Sequence, residues 1–300
     1  MQIGLFLGDL LAGSPDDFVA GIAAAHADGF ASAWVPQVFG WDTLTLLGVA
    51  GREVPDIELG TAVVPTYPRH PMALAGQALT VQALTGGRLA LGIGLSHKVV
   101  IEGMLGYSFD RPAVHMREYL AALQPLLRGE AADARGETVT AVGQLSVRGV
   151  AAPPVLLAAL APAMLRLAGA VADGTITWMV GPRTLGEHIT PRITTAAHEA
   201  DRGATRIVAG LPVCVTDDVE GVRARANRTF AMYGTLPSYR AMLDREGAES
   251  PGDVAIIGDE ATVRLALEDL VAAGATDVVA SLFGPPEDKE RTRTLLRSLL

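Results

Sequence analysis

The sequence predicts an α/β fold, a TIM-type (β/α)8 barrel with helical insertions, on three observations. Strand-like and helix-like stretches alternate along all 300 residues, the pattern of a parallel sheet covered by helices. The strand-like stretches number eight, which suits a closed barrel. No low-complexity stretch or linker interrupts the chain, so 1–300 reads as a single domain, and a hydrophobic content of 49% fills one large core.

In order, residues 3–8 form an apolar run suited to the first strand. Ser14 and Pro15 open a helix as N-cap and first helical residue, and it closes at Asp28 and Gly29. A second strand at 30–35 leads to a helix at 41–51, and a third strand at 57–64 stops at Pro65. Arg69, His70 and Pro71 start a helix that reaches Leu84. Gly86 and Gly87 supply the positive-φ geometry that ends it, and the fourth strand follows at 88–95. A helix at 113–128 precedes an insertion, 129–153, with a small β excursion at 138–148. The fifth strand, 154–160, gives way to a helix opened by Pro162. The sixth strand is 174–180, with a helix at 184–202, and the seventh is 206–215. A second insertion, 217–256, is helical over 218–246 and leads to a helix at 260–273. An eighth strand at 276–283 and a closing helix at 287–299 complete the count.

A net charge of −9 argues against a general nucleic-acid surface. The single cysteine, Cys214, has no partner for a disulfide or a thiolate metal cluster within the chain and reads as a small core residue. The six histidines show no two-His helix spacing and no His-x-His pair, so no metal site is expected. His26, His188 and His198 fall on helices and read as solvated. The first eight residues lack a basic region ahead of a signal-type apolar core, and no apolar stretch could span a bilayer without charges or prolines. A soluble, cytoplasmic protein is expected, with a small-molecule substrate and neither nucleic acid nor membrane as partner.

A barrel collects its site at the C-terminal ends of its strands. At the fourth strand Gly92 and Gly94 thin the outgoing end, where a flat ligand or another backbone can approach. Ser96, His97 and Lys98 follow on the loop. A dinucleotide fingerprint would need a third glycine where His97 stands. His97 is either a site residue at the mouth or a satisfied loop histidine. Lys98 reads as a surface or anion-contacting lysine ahead of a Schiff-base nucleophile. Trp41, after the second strand, and Trp178, at the end of the sixth, can stack on a flat ligand or cap the apolar top of the barrel. Ala161-Pro162 and Gly181-Pro182 open helices after strands five and six, where free N–H groups bind an anion or the prolines serve as helix starters.

Pro65, Arg69-His70-Pro71, Leu74-Ala75, Gln77-Ala78, Thr80, Gly86-Gly87-Arg88, Leu91-Gly92 and Gly94 together form a dense run. This run resembles the hallmark of the bacterial luciferase-like monooxygenase superfamily, closest to its branch using the deazaflavin coenzyme F-420. Ala168-Gly169 and Ala172-Asp173-Gly174 continue the likeness, which covers essentially the whole chain. The resemblance implies a flavin or deazaflavin at the open end of the barrel. It implies a cis peptide within Thr61, Ala62 and Val63, falling at Ala62-Val63 and backing the ring. The cofactor's phosphate would meet the loops holding Ser96 and His97, then Ala161 and Pro162, then Gly181 and Pro182, with Lys98 helping to neutralise the cofactor tail, Trp178 near the ring or substrate, and Gly94 also in contact with the cofactor.

One departure bears on the chemistry. Sugar-phosphate dehydrogenases of that branch carry a histidine after strand two and a glutamate after strand four; here Gln37 and His97 stand there, with Trp41 kept. Glutamine is no general base, which leaves His97 as the acid–base candidate and Gln37 and Trp41 beside it. The resemblance implies an F-420-dependent oxidoreductase moving a hydride between coenzyme and a small organic substrate. It also implies a homodimer, with a separate coenzyme-reducing enzyme as partner. The rivals are an FMN-dependent luciferase-like monooxygenase fed reduced flavin, a non-catalytic flavin- or deazaflavin-binding protein, and a lyase using Lys98.

Overall fold

The computed structural model describes residues 2–300. Eight parallel strands form the barrel: β1 (Gln2–Phe6), β2 (Ser32–Val35), β3 (Glu58–Thr61), β4 (Leu89–Gly94), β5 (Val155–Leu157), β6 (Gly174–Trp178), β7 (Arg206–Val215) and β8 (Asp277–Leu282). Each pairs with its neighbour in sequence, and β8 pairs with β1, so the sheet closes. The helices that follow them are α1 (Pro15–Ala27), α2 (Thr43–Glu53), α3 (Pro71–Leu84), α4 (Pro112–Leu127), α5 (Pro162–Ala170), α6 (Thr190–Glu199), α7 (Glu260–Ala272) and α8 (Pro286–Arg297). Among the described residues no helix is long and apolar enough to cross a membrane.

Local chemistry sets the helix starts. Ser14 and Asp17 form a reciprocal capping box on α1, and Asp42 and Asp259 cap α2 and α7 through the N–H groups of Thr45 and Thr262. Gly86 and Gly87, at φ of +64° and +91°, turn the chain from α3 into β4.

Strand alternation makes two cores. One lies between strands and helices; the other fills the barrel, where Trp34, Ala90, Leu156, Ile176, Val208 and Val279 meet. Trp34 occupies the room of several side chains, because a Cβ on Gly60 would overlap its ring and one on Gly4 would overlap Ser32. Its indole N–H donates to Ser32 Oγ at 2.8 Å. The Arg206 guanidinium lies 5.4 Å above the same ring and holds Glu58 and Asp277, joining β3, β7 and β8 at the N-terminal end.

Four boundaries differ from the sequence reading. The third strand breaks after Thr61 and resumes at Val64–Pro65, which pairs with Ile93 and Gly94 of β4. The first insertion forms its hairpin earlier, from Ala132–Arg135 and Thr140–Gly143. Glu118 on α4 fixes the turn by accepting the N–H groups of Glu137, Thr138 and Val139. The second insertion, after helices Val219–Thr229, Ala231–Thr235 and Pro237–Glu246, returns as a short strand, Ile256–Gly258, paired with the outer end of β7. The helix after β6 starts at Pro182 and passes through a wide turn, Leu185–Ile189, before α6. His188 in that turn is only 2% exposed, not solvated, since its ring N–H donates to the Leu160 carbonyl at 2.8 Å.

Candidate active site

A cavity of about 1070 Å³ opens at the C-terminal end of the barrel. The ends of β3 to β6 form one wall, and Leu236, Pro237, Ser238 and Tyr239 of the second insertion form another.

The wall at β3 and β4 is made of backbone. The peptide between Ala62 and Val63 is cis, at the position the resemblance implies. Thr61 and Ala62 turn against β4, where a Cβ on Gly92 would overlap the Thr61 carbonyl oxygen and one on Gly94 would come within 2.6 Å of Val63 Cγ2. These two glycines therefore admit a neighbouring strand. Thr61 Oγ1 donates to the Gly92 carbonyl at 2.7 Å, and the Thr66 N–H reaches Gly94 at 2.9 Å. Ala62, Val63, Gly94, Ala158, Ala159 and Ala161 leave the space beside them open.

Polar groups on the wall are few. Ser96, at φ +60°, turns the chain off β4 in a left-handed conformation, as Met179 at φ +54° does after β6. Such positions cost about 1 kcal/mol or more in non-glycine residues and gather at functional sites. His97 lies next, its ring 5.9 Å from that of Tyr239. Burial holds its pKa below the usual histidine value, so the imidazole is neutral at pH 7. Lys98 is spent on Glu102 at 3.0 Å. Trp178 stacks on Phe6 at 4.8 Å, with its indole nitrogen buried on the side of Tyr233. Burial, with Tyr233 beside it, pushes the Tyr239 hydroxyl well above its ordinary value and keeps it neutral.

Of the residues singled out in the sequence, Ala62, Val63, Gly94, Ser96, His97, Lys98, Ala161 and Trp178 meet on this cavity. The others stand elsewhere. Gln37 accepts the Thr43 N–H at 2.8 Å and braces the loop after β2. Trp41 is 49% exposed and donates to the Gly13 carbonyl at 2.8 Å. Neither lines the cavity, because those hydrogen bonds hold them against the loops after β1 and β2. Thr61 is fully buried under the strand break. Pro162 starts α5 just behind Ala161, whose position as N-cap leaves the first N–H groups without a side-chain cap. Gly181 lies against Glu246, whose carboxylate takes the N–H groups of Arg183 and Thr184, and Pro182 starts the helical turn between them, off the cavity wall. Tyr239 and Leu236 carry no signal in the sequence, since only the path of the insertion over the barrel brings them here.

A closed barrel with an apolar cavity at the C-terminal ends of its strands and the His97 imidazole on its wall is the arrangement in which barrel enzymes hold their ligands. The chain belongs to the luciferase-like monooxygenase family, whose model matches residues 1–288. A 5,10-methylenetetrahydromethanopterin reductase from Methanolobus tindarius is 27% identical over 292 residues, 94% of this chain and 88% of that protein. The solved coenzyme F-420 dependent tetrahydromethanopterin reductase from Methanopyrus kandleri shares the fold, with a TM-score of 0.83, 23% identity and coverage of 99% and 98%. An F-420-dependent secondary alcohol dehydrogenase, solved with an F-420–acetone adduct, gives a TM-score of 0.81 at 18% identity, covering 100% of this chain and 98% of that one.

Proposed function

We propose that this chain is a coenzyme F-420-dependent oxidoreductase that moves a hydride between the deazaflavin and a small organic substrate. The observation that carries the reading is the cavity itself. At about 1070 Å³ it exceeds the usual space for one drug-sized ligand, and so has room for a tricyclic ring and a substrate together. The small residues from Ala62 to Ala161 suit a flat ring.

When bound, the deazaflavin supplies a two-electron hydride donor or acceptor at C5. The chain's own residues do the rest. Ala62, Val63 and Gly94 hold one face of the ring. Apolar walls exclude water and strengthen each polar contact. His97, neutral through burial, would take the substrate's proton on its imidazole as the hydride leaves, and return it in the reverse direction. Titration with F-420, FMN and FAD, followed by absorbance and tryptophan quenching, tests the reading. Saturable binding of F-420 ahead of the flavins supports it, and no response to F-420 sinks it.

Membership in the luciferase-like monooxygenase family favours a second reading: an FMN-dependent monooxygenase fed reduced flavin. It predicts oxygen consumption with reduced FMN, which the first reading does not. The homodimer and the separate coenzyme-reducing enzyme belong to the same proposal. An α3 without a single charged residue, exposing Ala73, Thr80, Ala83 and Leu84, supports the dimer, and light scattering tests it.

A further inference from the structure

The second insertion brings a phenol to the cavity. Tyr239 stands on the wall at the start of the helix Pro237–Glu246, and its ring lies 5.9 Å from that of His97, the two tilted by 58°. Both ends of that helix are tied down. Tyr233 packs edge-on against Tyr239 at 4.7 Å and meets Phe230, whose ring stands 6.0 Å from that of Trp178. At the far end Thr184 Oγ1 donates to the Met242 carbonyl at 3.2 Å, and Glu246 takes the N–H groups of Arg183 and Thr184. The phenol is therefore held in place before any ligand arrives.

Most other polar side chains on the wall are occupied or outlying. Lys98 and Glu102 hold each other at 3.0 Å, Thr177 Oγ1 donates to the Val208 carbonyl at 3.4 Å, and Ser238 is exposed. Among the described residues no group hydrogen-bonds the Tyr239 hydroxyl, and burial keeps it protonated, so it is a donor at neutral pH.

We propose that Tyr239 is a second catalytic residue, whose hydroxyl donates a hydrogen bond to the substrate oxygen from which His97 takes the proton. The inference deepens the hydride-transfer reading and rests on it for the fate of the hydride. It makes the substrate an alcohol and the product its carbonyl compound, with an uncharged, apolar body to suit the rest of the wall. In the oxidative direction the C–H bond breaks, and its electron pair passes as hydride to C5 of the coenzyme. The O–H bond breaks, its proton passes to the His97 imidazole, and the pair left on oxygen forms the second C–O bond. Charge builds on that oxygen in the transition state, where a fixed donor in an apolar cavity stabilises it. Tyr239 keeps its own proton throughout.

The test uses acetophenone and α-methylstyrene, two probes of the same shape in which a carbonyl oxygen is exchanged for a methylene group. Each is titrated by calorimetry into the full-length parent, Tyr239→Phe and Tyr233→Phe, with and without oxidised F-420. Tyr239→Phe keeps the ring and its packing, while Tyr233→Phe removes a neighbouring phenol oxygen from a residue that does not line the cavity. The parent should prefer the ketone, and that preference should fall about fivefold in Tyr239→Phe, the net worth of one neutral hydrogen bond, and persist in Tyr233→Phe. The infrared carbonyl stretch of bound acetophenone should rise in frequency in Tyr239→Phe alone. No preference in the parent, an unchanged ratio in Tyr239→Phe, or an equal loss in Tyr233→Phe overturns the proposal. If oxidised F-420 does not bind yet the ketone preference depends on Tyr239, the cofactor reading falls and the contact stands. If F-420 binds and the preference does not depend on Tyr239, the cofactor reading stands and this inference falls.

Discussion

Gly92 and Gly94 lie two residues apart on β4, and the same substitution should have different consequences at each. In Gly92→Ala the new methyl overlaps the Thr61 carbonyl oxygen, a backbone atom with nowhere to go. Relief requires β3 to move, at about 3 kcal/mol, the upper end of ordinary overpacking. The Thr61–Gly92 hydrogen bond goes with it, for about 1 kcal/mol, while the stiffer unfolded chain returns somewhat under 1 kcal/mol. For a chain this long each kcal/mol moves the midpoint by about 2 °C. The net loss is then about 3 kcal/mol, or a fall of about 6 °C in thermal midpoint. In Gly94→Ala the methyl meets the end of a side chain, Val63 Cγ2 at 2.6 Å, and Ala158 Cβ at 3.2 Å. Val63 can turn aside, so stability should change by less than about 1 kcal/mol. It turns into the cavity, however, and ring affinity should drop about tenfold, equivalent to about 1.4 kcal/mol. Differential scanning fluorimetry and ligand titration on both variants measure the contrast. Equal midpoints for Gly92→Ala and the parent would refute the close approach of β3 to β4.

Tryptophan fluorescence should be quenched by ring binding through Trp178, which lines the cavity, so Trp178→Phe should abolish the quench and Trp41→Phe preserve it; the reverse would seat the ring beside β2. Replacing Arg206 with methionine strands the Asp277 carboxylate, 4% exposed, and should cost about 3 kcal/mol in urea unfolding, while ligand affinity at the other end of the barrel stays unchanged. Burial lowers the pKa of His97, His115 and His188, so the unfolded chain binds protons more readily than the folded one. Stability should therefore fall as pH drops through the ordinary histidine value near 6.5, and His115→Gln should flatten that slope. Burial opposes ionisation of Glu118, but hydrogen bonds from Thr138, Glu137 and Val139 hold its pKa at about 2, so its share is lost only at much lower pH, below about 4.5.

Much of the barrel was legible because strand and helix periodicities are local. Ser14, Asp259 and the Gly86-Gly87 turn mark their own boundaries, and the eight-unit count follows from them. The break in strand three was not legible from residue pattern, since Ile57 to Pro65 reads as one apolar run; only the resemblance placed a cis bond there. Gly92 and Gly94 announced a close approach without saying to what. Trp41 shows the opposite failure: it follows a strand end, as a mouth residue should, yet a hydrogen bond to Gly13 holds it in another direction. Glu246 and Tyr239 were out of reach, because both lie more than sixty residues from the amides and His97 they meet, and no local pattern encodes such a meeting.

The insertion that carries Leu236 to Tyr239 divides responsibility for the cavity. One half belongs to strand ends that the barrel cannot alter without losing its own ladder, as Gly92 makes plain. The other half hangs between β7 and α7, outside the eight-strand repeat, and can be lengthened, shortened or exchanged with little consequence for closure. A lineage built this way can keep the barrel side of its cavity constant while the insertion side drifts. Kinship in the barrel and divergence in the reaction then become compatible features of one chain.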